Sequence, residues 1–91
     1  MKEKRCRKIA RRLQLLSHPA RLRIVTELRE KEMCVSELQA VLDRPQPYVS
    51  QQLCTLREAG IVAYRREGQY VYYRLEDPFV EQLLDEIAGP K

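Results

Sequence analysis

The hydrophobic period of this chain changes at Gly60, from helical before it to extended after it. Before it, Val49, Leu53 and Leu56 recur at i, i+4 and i+7, which lines them along one side of a helix. After it, Ile61-Val62-Ala63-Tyr64-Arg65-Arg66 and Gln69-Tyr70-Val71-Tyr72-Tyr73-Arg74-Leu75 flank Glu67-Gly68. β-Branched and aromatic residues on both sides of a glycine turn read as a β-hairpin. A helix closed by Ala59-Gly60 and followed at once by a hairpin is therefore the centre of the chain.

The outward side of that helix begins with Gln46, Tyr48, Ser50 and Gln51, and Gln52 follows. Amide and hydroxyl side chains on the first turns of a helix can donate to and accept from base edges and phosphates. An ordinary amphipathic helix with a polar solvent face has the same period, so the neighbouring elements must decide. Ser36-Glu37-Leu38-Gln39 has the form of a capping box and opens a short helix to Leu42; Asp43-Arg44-Pro45 closes it, and Pro47 sits in the first turn of the next. Two short helices across a tight turn make a helix-turn-helix over 37–59, in which the first braces on the phosphate backbone and the second enters the major groove. The hairpin, 61–75, then becomes a wing, with Arg65, Arg66 and Gln69 placed to meet backbone or minor groove.

On the amino-terminal side, Lys2 to Leu16 favours helix, with Ile9, Leu13 and Leu16 on one stripe and Lys2, Lys4, Arg5, Arg7, Lys8, Arg11 and Arg12 around it. The thin stripe and absence of aromatic residues disfavour a membrane-surface helix. A subunit-contact helix with a solvated basic face is preferred, with direct phosphate contact as the lesser reading. Ser17-His18-Pro19 interrupts and restarts the helix, with Ser17 or His18 as cap. The second helix, Ala20 to about Lys31, is expected to turn Leu22, Val25 and Leu28 inward and Arg21, Arg23, Arg29 and Lys31 outward. Asp77-Pro78 opens a last helix over 77–88 whose apolar face, Phe79, Val80, Leu83, Leu84 and Ile87, needs cover. Helices 1–16 and 77–88 are thus the candidates for a two-fold interface.

The expected fold is mainly α with a β-hairpin wing, in the order ααααββα, as one domain over 1–91. Ninety-one residues can fold alone but leave apolar surface for a partner subunit. A net charge of +4 from 17 basic and 13 acidic side chains suits double-stranded DNA without making a polycationic tail. No apolar run approaches a membrane span and no signal segment stands at the start, so a cytoplasmic chain is expected. Three cysteines without a secretion signal argue for buried, reactive or metal-binding thiols rather than disulfides. One histidine, no glycine-rich phosphate loop and no paired carboxylates in a plausible cleft argue against an enzyme. A winged helix serving as a protein-interaction module, without its own operator, is the alternative to a DNA-binding regulator.

Leu16-Ser17-His18-Pro19-Ala20-Arg21-Leu22-Arg23-Ile24-Val25, Glu32-Met33-Cys34-Val35-Ser36-Glu37-Leu38, Gln46-Pro47-Tyr48-Val49-Ser50-Gln51-Gln52-Leu53, Leu56-Arg57-Glu58-Ala59-Gly60-Ile61-Val62 and Tyr72-Tyr73-Arg74-Leu75 resemble the successive signatures of the ArsR/SmtB winged-helix repressors. The resemblance implies a homodimer that binds a short inverted repeat at a promoter and releases it when an inducer, commonly a metal ion, arsenite or a sulfur oxidant, is bound. Three departures narrow what it implies. The family's thiolate site reads Cys-Val-Cys, where this chain has Cys34-Val35-Ser36. Its terminal-helix zinc site needs histidines, where this chain has Asp77-Pro78-Phe79 and none beyond His18, itself read as a boundary residue. Its usual Ser or Thr cap is replaced by Pro45. A thiol-based sensor using Cys6, Cys34 and Cys54, holding arsenite or a soft metal ion or forming a disulfide or polysulfide, requires these thiols to converge. Cys6 lies between Arg5 and Arg7, a setting for a reactive thiol.

Overall fold

The computed structural model describes residues 1–90. Helices α1 (Glu3–Leu16) and α2 (Pro19–Glu30) are followed by a two-residue strand β1 (Met33–Cys34), then α3 (Val35–Leu42), α4 (Gln46–Glu58), the hairpin β2 (Val62–Glu67) and β3 (Tyr70–Leu75), and α5 (Pro78–Ala88). This is a winged helix-turn-helix in the expected order, with one addition. Met33 and Cys34 pair with Tyr73 and Tyr72, so the wing is rooted in a three-stranded sheet ordered β1-β3-β2. Two residues are too few to carry a period, which is why sequence patterning passes over β1.

The core gathers Ile24, Val25, Leu38, Val49, Leu53, Leu56, Ile61 and Val80, all fully buried, between the helix-turn-helix and the root of the wing. The phase of α2 differs from expectation. Its packed stripe runs through Ile24, Val25 and Leu28, which leaves Leu22 41 % exposed and turns Arg29 inward to 6 %. Arg29 is accommodated because Asp85 of α5 lies 3.1 Å from its Nε and the Gly89 carbonyl accepts from its Nη2.

The helix ends follow local chemistry. Ser17 does not cap α2; its hydroxyl donates to the Gln14 carbonyl at 2.7 Å and closes α1. His18 takes the cap position of α2 but makes no side-chain cap bond. The cap of α3 lies two residues before the expected Ser36, because the Glu37 carboxylate accepts the Cys34 N–H at 3.0 Å. That bond, followed by the Cys34 side chain, holds the Glu37 carboxyl below its ordinary pKa. Asp77 caps α5 as expected, accepting the Phe79 N–H at 2.9 Å, and also pairs with Arg12 of α1.

The change of period at Gly60 has a specific geometry. Gly60 adopts φ 76, its N–H donates to the Arg57 carbonyl, and the Ile61 N–H donates to the Leu56 carbonyl, both at 3.0 Å. These are the paired bonds of a Schellman cap, which a residue with a Cβ would strain. The Ile61 carbonyl then accepts from Glu76 and Asp77, tying the far end of the hairpin to its start. No helix among the described residues is long and apolar enough to cross a membrane.

Candidate nucleic-acid interface

Helix α4 starts from Pro45 in extended conformation with no side-chain cap; the Tyr48 and Val49 N–H groups bond back to the Pro45 carbonyl instead. Its outward side carries the expected polar set. Gln46 and Gln51 are exposed, and Ser50 is half-buried, with its hydroxyl accepting from Gln46 Nε2 at 2.6 Å. Tyr48 is half-buried beneath Arg44, whose guanidinium carbon stands 3.9 Å from the ring centroid. Arg44 comes from the turn between α3 and α4 and was not among the expected contacts. Arg44 lies outside the helix, ahead of the extended Pro45, so no helical period in the sequence signals the pairing.

Gln52 corrects the expected set. It is buried, and its Oε1 accepts from Arg21 Nε of α2 at 2.9 Å, while Arg21 Nη1 donates to the Leu15 carbonyl. Val49, Gln52, Leu53 and Leu56 form i, i+3, i+4 and i+7, so the spacing itself places Gln52 on the packed side; its amide chemistry is used to fix α4 to α2. Arg21, expected outward, is the other half of that contact.

In the wing, Glu67 pairs with Tyr70 across a two-residue turn in which Gly68 has φ 62, the positive angle that tight hairpins require. Gln69 is exposed in that turn. A cleft of about 330 Å³ is lined by Gln69 and Tyr70 of the wing tip, Gln46 of the first turn of α4, and Cys34, Ser36 and Gln39 around the start of α3. The first turn of α4 and the tip of the wing thus face a common space. Arg65 and Arg66 behave differently. Arg65 is ion-paired with Glu32 at 2.8 Å and with Glu67, whereas Arg66 is exposed and has no carboxylate partner among the described residues.

The three cysteines do not converge within the chain. Cys6 is half-buried on α1, Cys34 is buried beside the Ser36 hydroxyl, and Cys54 is exposed on α4, its thiol donating to Glu58 at 3.3 Å. Among the described residues no group of three or more His, Cys, Asp or Glu side chains could hold a metal ion.

Residues 18–64 match the family described as "Bacterial regulatory protein, arsR family". The chain belongs to the ArsR family. Its relatives include the biofilm growth-associated repressor of Agrobacterium fabrum, 47% identical over 83 residues that span 91% of this chain and 71% of that one. The crystal structure of the transcriptional repressor BigR from Xylella fastidiosa superposes with a TM-score of 0.85 at 42% identity, covering 98% of this chain and 94% of that one. A homodimeric winged helix-turn-helix DNA-binding domain from Mycobacterium bovis superposes with a TM-score of 0.82 at 25% identity, covering 97% of this chain and 84% of that one. This chain is an ArsR-family DNA-binding repressor, not an enzyme.

Proposed function

We propose that this repressor binds an inverted-repeat operator as a homodimer, with Gln46, Tyr48, Ser50 and Gln51 of α4 in the major groove and Arg44, Arg66 and Gln69 on the flanking backbone. The observation that carries the reading is the shared cleft of Gln46 and Gln69, which aligns the first turn of α4 with the wing tip. Dimerisation through α1 and α5 is supported by the apolar side chains that one copy leaves open, Leu13 at 47 % and Ile87 at 69 % exposure. Charge favours the same pairing: α1 carries Lys4, Arg5, Lys8 and Arg11, while α5 carries the exposed Glu86 and no basic residue. The homodimeric state of the Mycobacterium bovis relative adds to that support.

Gel retardation on the chain's own promoter region tests the reading. Gln51→Ala should weaken binding to the retarded fragment about tenfold, the effect of one base-edge contact, and leave random duplex unchanged. Equal loss on both would remove Gln51 from base reading.

In the same reading a thiol-reactive inducer, arsenite, a soft metal ion or a sulfur oxidant, releases the operator. Cys54 is an exposed thiol on α4, and because the three cysteines do not converge within one chain this reading requires a thiol of the second copy to complete the site. Release assays with arsenite, cadmium and a persulfide donor should lose their response in Cys54→Ser and keep it in Cys34→Ser. Release of a variant lacking Cys6, Cys34 and Cys54 would end the thiol-sensor idea.

A further inference from the structure

The two neighbouring arginines of the wing have different work. β1 pairs with β3 only at Tyr72 and Tyr73, so the hairpin beyond Tyr72 is two-stranded, a form that is marginal on its own. Arg65 sits on that limiting row: it faces Tyr72 on β3, which faces Cys34 on β1. Its guanidinium carbon lies 4.9 Å from the Tyr72 ring centroid, and its Nε reaches Glu32, in the link between α2 and β1. Its Nη1 donates to Glu67, two residues towards the tip. The side chain therefore crosses the sheet from one edge towards the other, over the middle strand, at the row where three strands become two.

We infer that Arg65 is a positioning residue, a strap that Glu32 and Glu67 hold across the sheet to set the angle of the wing, and that Arg66 makes the wing's phosphate contact. This rests on the operator-binding reading above. Two carboxylates around one guanidinium leave a net negative trio, which offers a phosphate no attraction unless both are displaced. Arg66 is the next residue along β2 and so points to the opposite face of the hairpin, where it has no carboxylate partner among the described residues. Removing a strap weakens DNA binding without changing how many counterions are released; removing a phosphate contact changes that number.

The sign of the Glu32 effect separates the two roles. Binding of the full chain to random-sequence duplex is measured across a salt series for wild type, Arg65→Gln, Arg66→Ala, Glu32→Gln and Glu30→Gln, the last an exposed carboxylate two residues away. Arg66→Ala should lower the slope of log K against log salt by about 0.9. Arg65→Gln and Glu32→Gln should keep the wild-type slope and weaken binding about threefold, the size of a surface ion-pair effect. Glu30→Gln should strengthen binding slightly, as loss of any nearby negative charge does. A reduced slope in Arg65→Gln, or tighter binding in Glu32→Gln matching Glu30→Gln, would overturn the strap. Amide hydrogen exchange of the free protein gives an answer without DNA: Glu32→Gln should speed exchange in the hairpin between Arg65 and Tyr72 severalfold, and unchanged exchange would also overturn it. Absence of any duplex binding by wild type would sink the operator reading, while the exchange result would still decide the strap.

Discussion

Asp85→Ala should destabilise the fold by about 2–3 kcal/mol, more than Arg29→Met, although Asp85 is the more exposed member of the pair. The Arg29 side chain is 4% exposed and the Asp85 side chain 43%. When Asp85 is removed, a guanidinium stays buried between α2 and α5 with one carbonyl, that of Gly89, as its remaining partner. An uncompensated buried cation costs several kcal/mol, and the figure is reduced here because the carboxylate it loses was already half in water. Removing Arg29 has the opposite character: Asp85 turns to solvent and methionine fills the apolar path, at a cost of about 1 kcal/mol or less. Urea unfolding of both variants at one protein concentration, near neutral pH, measures the difference. Equal costs, or a larger cost for Arg29→Met, would mean that the side-chain stem of Arg29 matters more than its charge.

Arg21→Ala should cost about 2 kcal/mol and also weaken DNA binding, because it strands the Gln52 amide on the packed side of α4. Gln52 is 7% exposed and its Oε1 takes the Arg21 Nε–H, so alanine leaves a buried acceptor with no donor. The Leu15 carbonyl at the end of α1 loses a donor in the same step. Replacing both partners by apolar side chains of similar reach, Arg21→Met with Gln52→Leu, should recover most of the stability, since a missing pair is cheaper than a half pair. A double-mutant cycle on unfolding and on duplex binding measures the coupling. Additive effects would show that Arg21 and Gln52 do not act as a unit, and an unchanged DNA affinity in Arg21→Ala would show that α4 holds its place without them.

These two contacts mark what periodicity can and cannot reveal. Val49, Leu53 and Leu56 repeat at the helical period and Gly60 ends the repeat, so the position of α4 and the start of the wing are local facts, legible in the chain. The outward placement of Gln46 and Gln51 follows from the same period. Gln52 and Arg29 are polar by type but lie beside a buried stripe by position, and position prevails: both are buried. β1 has no local signal, because its two residues gain their strand character only by pairing with Tyr72 and Tyr73, about forty positions later.

The sequence by itself determined the helices, their caps at Asp77 and Gly60, the hairpin and the family, because each depends on residues within a few positions of one another or on their order. Only the tertiary structure decided which polar side chains meet a distant partner and so hold the fold. Gln52 of α4 meets Arg21 of α2, and Arg65 reaches Glu32 across the sheet, partners 31 and 33 residues away. A charged or amide side chain has the same chemistry in either role; what separates the roles is whether another part of the chain arrives to satisfy it, and that is settled by packing.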